Sequence, residues 1–125
     1  MEKELLSAME KKVKLSCLLA FYGEMLTENQ REIARLYWEE DLSLAEIAGQ
    51  FTVSRQSVHD TVTRTERQLE ALEEKLGMWK RFQSVEKGLN ACEKELAHVI
   101  PTPETSGHLA AARRIIAALM DQEEA

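Results

Sequence analysis

Residues 42–62 read LSLAEIAGQFTVSRQSVHDTV: two short amphipathic pieces joined by three residues that should not be helical. Ser43 followed by Glu46 fits a capping box, in which side chain and backbone at a helix start satisfy each other's free N–H groups. Ser54 is a polar residue placed just before a periodic apolar run, and it caps a further helix. A helix-turn-helix needs a small residue where its helices cross and apolar residues on the facing sides. Ala48 supplies the small contact, and Ile47, Phe51, Val53, Val58 and Val62 supply the wedge. Thr52 is the one discord. The turn commonly holds glycine because its backbone goes to positive φ, which a β-branched residue resists. Either the turn is looser here or Thr52 is strained.

Outward from this segment every element reads as helix. Residues 2–22 carry Leu5, Met9, Val13, Cys17 and Ala20 at steps of four and three, widened by Leu18, Leu19 and Tyr22, with Gly23 as the stop. Thr27 and Gln30 form another capping box, opening a helix with Ile33, Leu36 and Tyr37 inside that ends near Glu40. The helix from Arg55 shows Val58, Val62, Leu69, Leu72 and Leu76 on its inner face, and Gly77 as a C-terminal stop. Beyond it, Trp79, Phe82, Val85, Leu89, Cys92, Leu96 and Val99 continue. From Phe82 their steps are 3, 4, 3, 4, 3, the heptad spacing of a helix packed along another. PTPETSG is a turn, after which Thr105 or Ser106 caps a last helix carrying Leu109, Ala112, Ile115, Ile116 and Leu119. The acidic end DQEEA is expected to fray.

The expected fold is therefore all-α, with about six helices and no strand signal. Residues 1–78 would hold an N-terminal helix plus the helix-turn-helix domain. Residues 79–125 would form a C-terminal helical extension that packs on that domain or on a second subunit.

The totals suit this reading. Of the 125 residues, 44% are apolar, enough for a real core. No apolar run approaches the ~20 residues that span a bilayer. The start, MEKELLSAMEKKVK, lacks a signal peptide's apolar stretch, so a cytoplasmic location is expected. Cys17 and Cys92 belong to no CxxC or ligand cluster and read as reduced thiols in or near a core. The net charge is −6, and residues 28–77 hold six Lys/Arg against eleven Asp/Glu. DNA affinity draws on Lys and Arg neutralising phosphates, so this balance counts against it.

With Val58 and Val62 turned inward, the helix from Arg55 presents Arg55, Gln56, Ser57, His59, Asp60, Thr63, Arg64 and Arg67 outward. The N-terminal residues of such a helix usually reach base edges while its flanks touch phosphate. Arg55 suits guanine and Gln56 adenine, and Arg64 and Arg67 suit phosphates. Ser57, His59 and Thr63 complete the candidate nucleic-acid face. Asp60 would repel the backbone or accept from cytosine. The same residue types also make any solvated surface, and Glu66, Glu70, Glu73 and Glu74 follow on the same helix. An enzyme is not expected: His59, His98 and His108 are scattered, and no HExxH, phosphate loop or nucleophile elbow is present. No catalytic residue, metal or cofactor is read.

Residues 21–78 contain FYG, LTENQ, LYWEEDLSLAEIA, VSRQSVHD and RTE followed by spaced L and E-KL. In these pieces the chain resembles the YlxM family of small bacterial helix-turn-helix proteins. The rest matches only in helical character. The helix-turn-helix part is similar to the fourth region of bacterial sigma factors, which reads promoter DNA, and the family's DNA binding is inferred from that similarity. The family's genes commonly neighbour those for Ffh and FtsY, which implies a regulatory role in the signal recognition particle pathway. Two functions follow from the resemblance. One is a regulator binding DNA or the particle's RNA. The other is an interaction module whose acidic surface docks on Ffh, steered by opposite charge. A homodimer through the helices after Met78 is compatible with both.

Overall fold

The computed structural model describes residues 1–124, with side chains through residue 121. Among the described residues the chain forms α1 (Glu2–Tyr22), a single 3-10 turn (Gly23–Met25), α2 (Glu28–Trp38), α3 (Leu44–Phe51), α4 (Arg55–Leu76), α5 (Met78–Ala97) and α6 (Ser106–Glu124), and no strand. These fall into two compact units, Met1–Trp79 and Lys80–Ala125.

Local chemistry sets the helix starts in the first unit. Thr27 Oγ1 accepts the Gln30 N–H at 3.1 Å while Gln30 Oε1 accepts the Thr27 N–H at 3.1 Å. Ser43 and Glu46 exchange the same pair of bonds at 3.1 and 3.2 Å. Ser54 Oγ accepts the Ser57 N–H at 3.0 Å. Each cap takes up N–H groups that the first turn of a helix leaves unpaired. At the far end of α4, Gly77 adopts φ 61°, and its N–H donates to the Glu73 carbonyl at 2.8 Å. This left-handed stop is cheap only for glycine.

Two patches of buried side chains make the core. Leu15, Leu18, Leu19, Tyr22, Leu26, Ala34, Trp38 and Leu69 pack α1 against α2 and α4. Ile33, Leu36, Ile47, Ala48 and Val58 hold α2, α3 and the start of α4 together. Tyr37 and Val62 touch both patches. Each large aliphatic side chain so buried contributes about 1.5–3 kcal/mol. Thr65 is fully buried, and its hydroxyl finds no hydrogen-bond partner among the described residues.

Several inner faces differ from the sequence reading. Leu5, Met9 and Val13 are 64%, 57% and 62% exposed, and α1 is buried through Leu15, Leu18, Leu19 and Tyr22. The helix carries two apolar stripes, and only its second half meets α2 and α4. In α4 the buried line is Val58, Thr61, Thr65 and Leu69, while Leu76 in the last turn is exposed. Val53 is also exposed, so the wedge rests on Ile47, Ala48 and Val58 with Phe51 and Val62 half-buried. Cys17 is half-buried and Cys92 is exposed, and the two do not form a disulfide with each other.

In the second unit, α5 and α6 are joined through Pro101 and Pro103. There Thr102 Oγ1 accepts the Thr105 N–H at 3.2 Å and Thr105 Oγ1 accepts the Thr102 N–H at 3.0 Å. An ion pair between Glu93 and Arg113 links the two helices. No residue of α5 is buried, despite its heptad spacing. In α6, Ile116 is buried whereas Ile115 and Leu119 are exposed. The end expected to fray is helical to Glu124; Ala125 lies outside the described residues.

Candidate nucleic-acid interface

The turn between α3 and α4 has the usual geometry, and Thr52 bears its strain. Its φ of 54° and ψ of 47° are left-handed, and its N–H and that of Val53 both donate to the Ala48 carbonyl. A residue with a Cβ costs about 1–2 kcal/mol in this conformation. The bonds to Ala48 hold it there, because both N–H groups close the end of α3.

With Val58, Thr61, Thr65 and Leu69 turned inward, the opposite ridge of α4 is Gln56, Asp60, Thr63 and Arg67, at steps of 4, 3 and 4. Ser57 and Arg64 are exposed along one flank. His59 is exposed on the other flank, where it and Thr63 edge a cavity of about 480 Å³ shared with Lys11, Lys12, Trp38 and Asp41. Arg55 stands exposed in the first turn, just past the Ser54 cap. The seven candidate residues thus share the N-terminal half of one helix but spread over a ridge and two flanks. Arg55, Arg64 and Arg67 form no ion pair among the described residues. Gln56 Nε2 donates to Asp60 Oδ1 at 2.9 Å, so its amide must release Asp60 before it can pair with a base edge. His59 Nδ1 lies 3.7 Å from the same carboxylate.

The acids that follow on α4 turn towards α1. Lys11 pairs with Glu66 at 3.0 Å and Lys14 with Glu70 at 3.2 Å. Tyr22 Oη donates to Glu73 Oε1 at 2.8 Å, and the Trp79 N–H donates to the same oxygen at 3.0 Å. Lys14 also sits 5.1 Å from the centre of the Trp79 ring, within cation–π range. Partly exposed ion pairs of this kind contribute about 0–1 kcal/mol each. Their importance lies in direction: three of the four carboxylates point to the side of the helix that α1 already covers, while Glu74 stays exposed. The spacing Glu66, Glu70, Glu73 (steps of four and three) puts them on one face, and Lys11 and Lys14 on α1 match it. That pattern was present in the sequence, but its long-range partner was not apparent there.

Elsewhere cations are engaged. Arg35 bridges Glu32 at 2.7 Å and Glu40 at 3.2 Å, and its hydrogen bonds hold the Glu32 carboxyl below the usual carboxylate range. Lys12 is paired with Asp41, whose φ of 58° closes the turn after α2. Among the described residues no group of three His, Cys, Asp or Glu is placed to hold a metal ion, and no helix is long and apolar enough to cross a membrane.

Two capped helices crossing at a buried Ala48, with an exposed polar ridge on the second, define a helix-turn-helix protein. The family model described as "Putative helix-turn-helix protein, YlxM / p13 like" matches residues 9–101, and the chain belongs to this family, UPF0122. A UPF0122 protein of Listeria welshimeri is 45% identical over 87 residues, spanning 70% of this chain and 79% of its own. One from Listeria monocytogenes serotype 4b has the same identity and coverage. A relative in Desulforamulus reducens is 49% identical over 76 residues, 61% of this chain and 65% of its own.

Proposed function

We propose that this protein is a cytoplasmic, non-catalytic regulatory factor that binds duplex nucleic acid through the N-terminal half of α4. Arg55 and Gln56 face base edges, Arg64 and Arg67 hold phosphates, and Ser57, His59 and Thr63 supply supporting contacts. One observation carries the reading. The carboxylates of α4 are drawn towards Lys11, Lys14 and Tyr22 on α1, while Arg55, Arg64 and Arg67 point to solvent without a partner among the described residues. The overall charge of −6 therefore does not describe this face. The setting is the signal recognition particle pathway that the family resemblance implies, with DNA as the first target and the particle's RNA as the second.

Fluorescence anisotropy with a labelled DNA duplex and with the particle's RNA tests the reading. Arg55→Ala with Arg64→Ala should weaken binding at least tenfold and reduce the salt slope by about two, one for each cation removed. Unchanged affinity in the double variant overturns it.

A second reading, docking on Ffh, is favoured by the exposed apolar stripe Leu5, Leu6, Met9 and Val13 on α1. A complex with Ffh that survives nuclease and is abolished in Leu5→Asp with Met9→Asp supports that reading; one that disappears with the RNA refutes it.

A further inference from the structure

Helix α5 is amphipathic, twenty residues long and without a buried residue. An amphipathic helix gains most of its stability in water from packing its apolar face, so a helix of this length with nothing buried is an unfinished interface. Partial cover falls on Phe82, Val85, Glu86, Leu89, Glu93 and Leu96, the side on which Glu93 meets Arg113 of α6. The neighbouring flank is a second seam at heptad steps of 4, 3, 4 and 3: Arg81, Val85, Gly88, Cys92 and Glu95. All but Val85 are exposed.

This seam is symmetric in charge about its middle. Arg81 and Glu95 each lie seven residues from Gly88, about 10 Å along the axis at 1.5 Å per residue. Neither makes an ion pair among the described residues. Gly88 itself has nothing within 4 Å of the place where a Cβ would stand, so packing within the chain does not require glycine there. Yet glycine in a helix interior costs roughly 0.5–1 kcal/mol relative to alanine. A close approach by another backbone gives that cost a purpose.

We infer that α5 pairs antiparallel with α5 of a second copy, the two-fold axis passing at Gly88. In that pairing each Arg81 meets the partner's Glu95, Val85 packs near the partner's Cys92, and the two Gly88 residues let the backbones approach. A self-complementary patch of this kind is what a two-fold interface requires. The charge arrangement chooses a second copy over an unrelated partner, because the same helix carries both halves of the match. This pairing stands independently of the proposed nucleic-acid binding, since none of its residues belongs to α4.

Sedimentation of the full chain across roughly 1–100 μM, a range suited to micromolar dimers, reads the association. The wild type should form a dimer. Arg81→Glu and Glu95→Arg should each weaken it by roughly tenfold or more, because each places like charges together twice. The double reversal, Arg81→Glu with Glu95→Arg, should restore it to within about threefold of wild type, as a coupled pair requires. Gly88→Cys should cross-link into a dimer under oxidised glutathione. The wild type should not, because its two Cys92 residues stand about 12 Å apart along the axis. A helical, folded monomer throughout that range overturns the inference. So does a dimer indifferent to the charge reversals, or one in which Gly88→Cys fails to cross-link.

Discussion

Tyr22 donates its hydroxyl hydrogen to Glu73 Oε1 at 2.8 Å and accepts the Met78 N–H at 3.1 Å. The end of α1 is thereby fastened to the last turns of α4 at a side chain only 1% exposed.

Replacing Tyr22 with phenylalanine keeps the ring packed and strands both partners, so unfolding in urea should show a loss of about 1–3 kcal/mol. The same residue sets an alkaline limit. Burial, with Glu73 adding to it, raises the phenol above its ordinary value of 10.0, and the Met78 N–H only partly opposes the rise. A raised folded pKa means stability fully present below the unfolded value and lost as pH climbs through the folded one. The wild type should weaken above about pH 10, and Tyr22→Phe should lack that component of the loss.

Thr52 holds a left-handed conformation at φ 54°. Asparagine tolerates that region far better than a β-branched residue, so Thr52→Asn should stabilise the protein by about 1 kcal/mol. Calorimetry showing no gain, or a loss, would mean the threonine side chain contributes more than its strain costs.

The Thr65 hydroxyl is buried without a partner among the described residues. Valine has nearly the same shape and no polar atom, so Thr65→Val should raise stability by about 1 kcal/mol. Denaturant midpoints of the two proteins, compared at equal slope, decide the matter.

Asp60 is the carboxylate on the outward ridge of α4, held by Gln56. Asp60→Asn should tighten binding to a DNA duplex by roughly three- to tenfold at moderate salt, with little change in melting temperature. Anisotropy titrations at one fixed salt concentration measure the change; weaker binding in the variant would place the nucleic acid elsewhere.

Much of the fold was legible because its signals are local. Thr27 with Gln30, Ser43 with Glu46, and Ser54 all bond within three residues of themselves, so the starts of α2, α3 and α4 follow from short stretches of chain. Gly77 and the tension at Thr52 were legible for the same reason. The inner face of α1 was not. Its stripe through Leu5, Met9 and Val13 is as regular as the one through Leu15, Leu18 and Tyr22, and only docking against α2 and α4 chooses between them. For the candidate site, the residue types were legible but their surroundings were not. Whether Glu66 and Glu70 lie beside a phosphate depends on Lys11 and Lys14, more than fifty positions away.

That separation of α4 into a face bound to α1 and a ridge facing solvent has an evolutionary consequence. Substitutions at Gln56, Asp60, Thr63 or Arg67 alter what the helix meets without disturbing Leu69, Tyr22 or the lysine pairs that keep it in place. Ligand preference in this lineage is therefore free to drift by single outward changes, while the scaffold beneath stays under its own, separate selection.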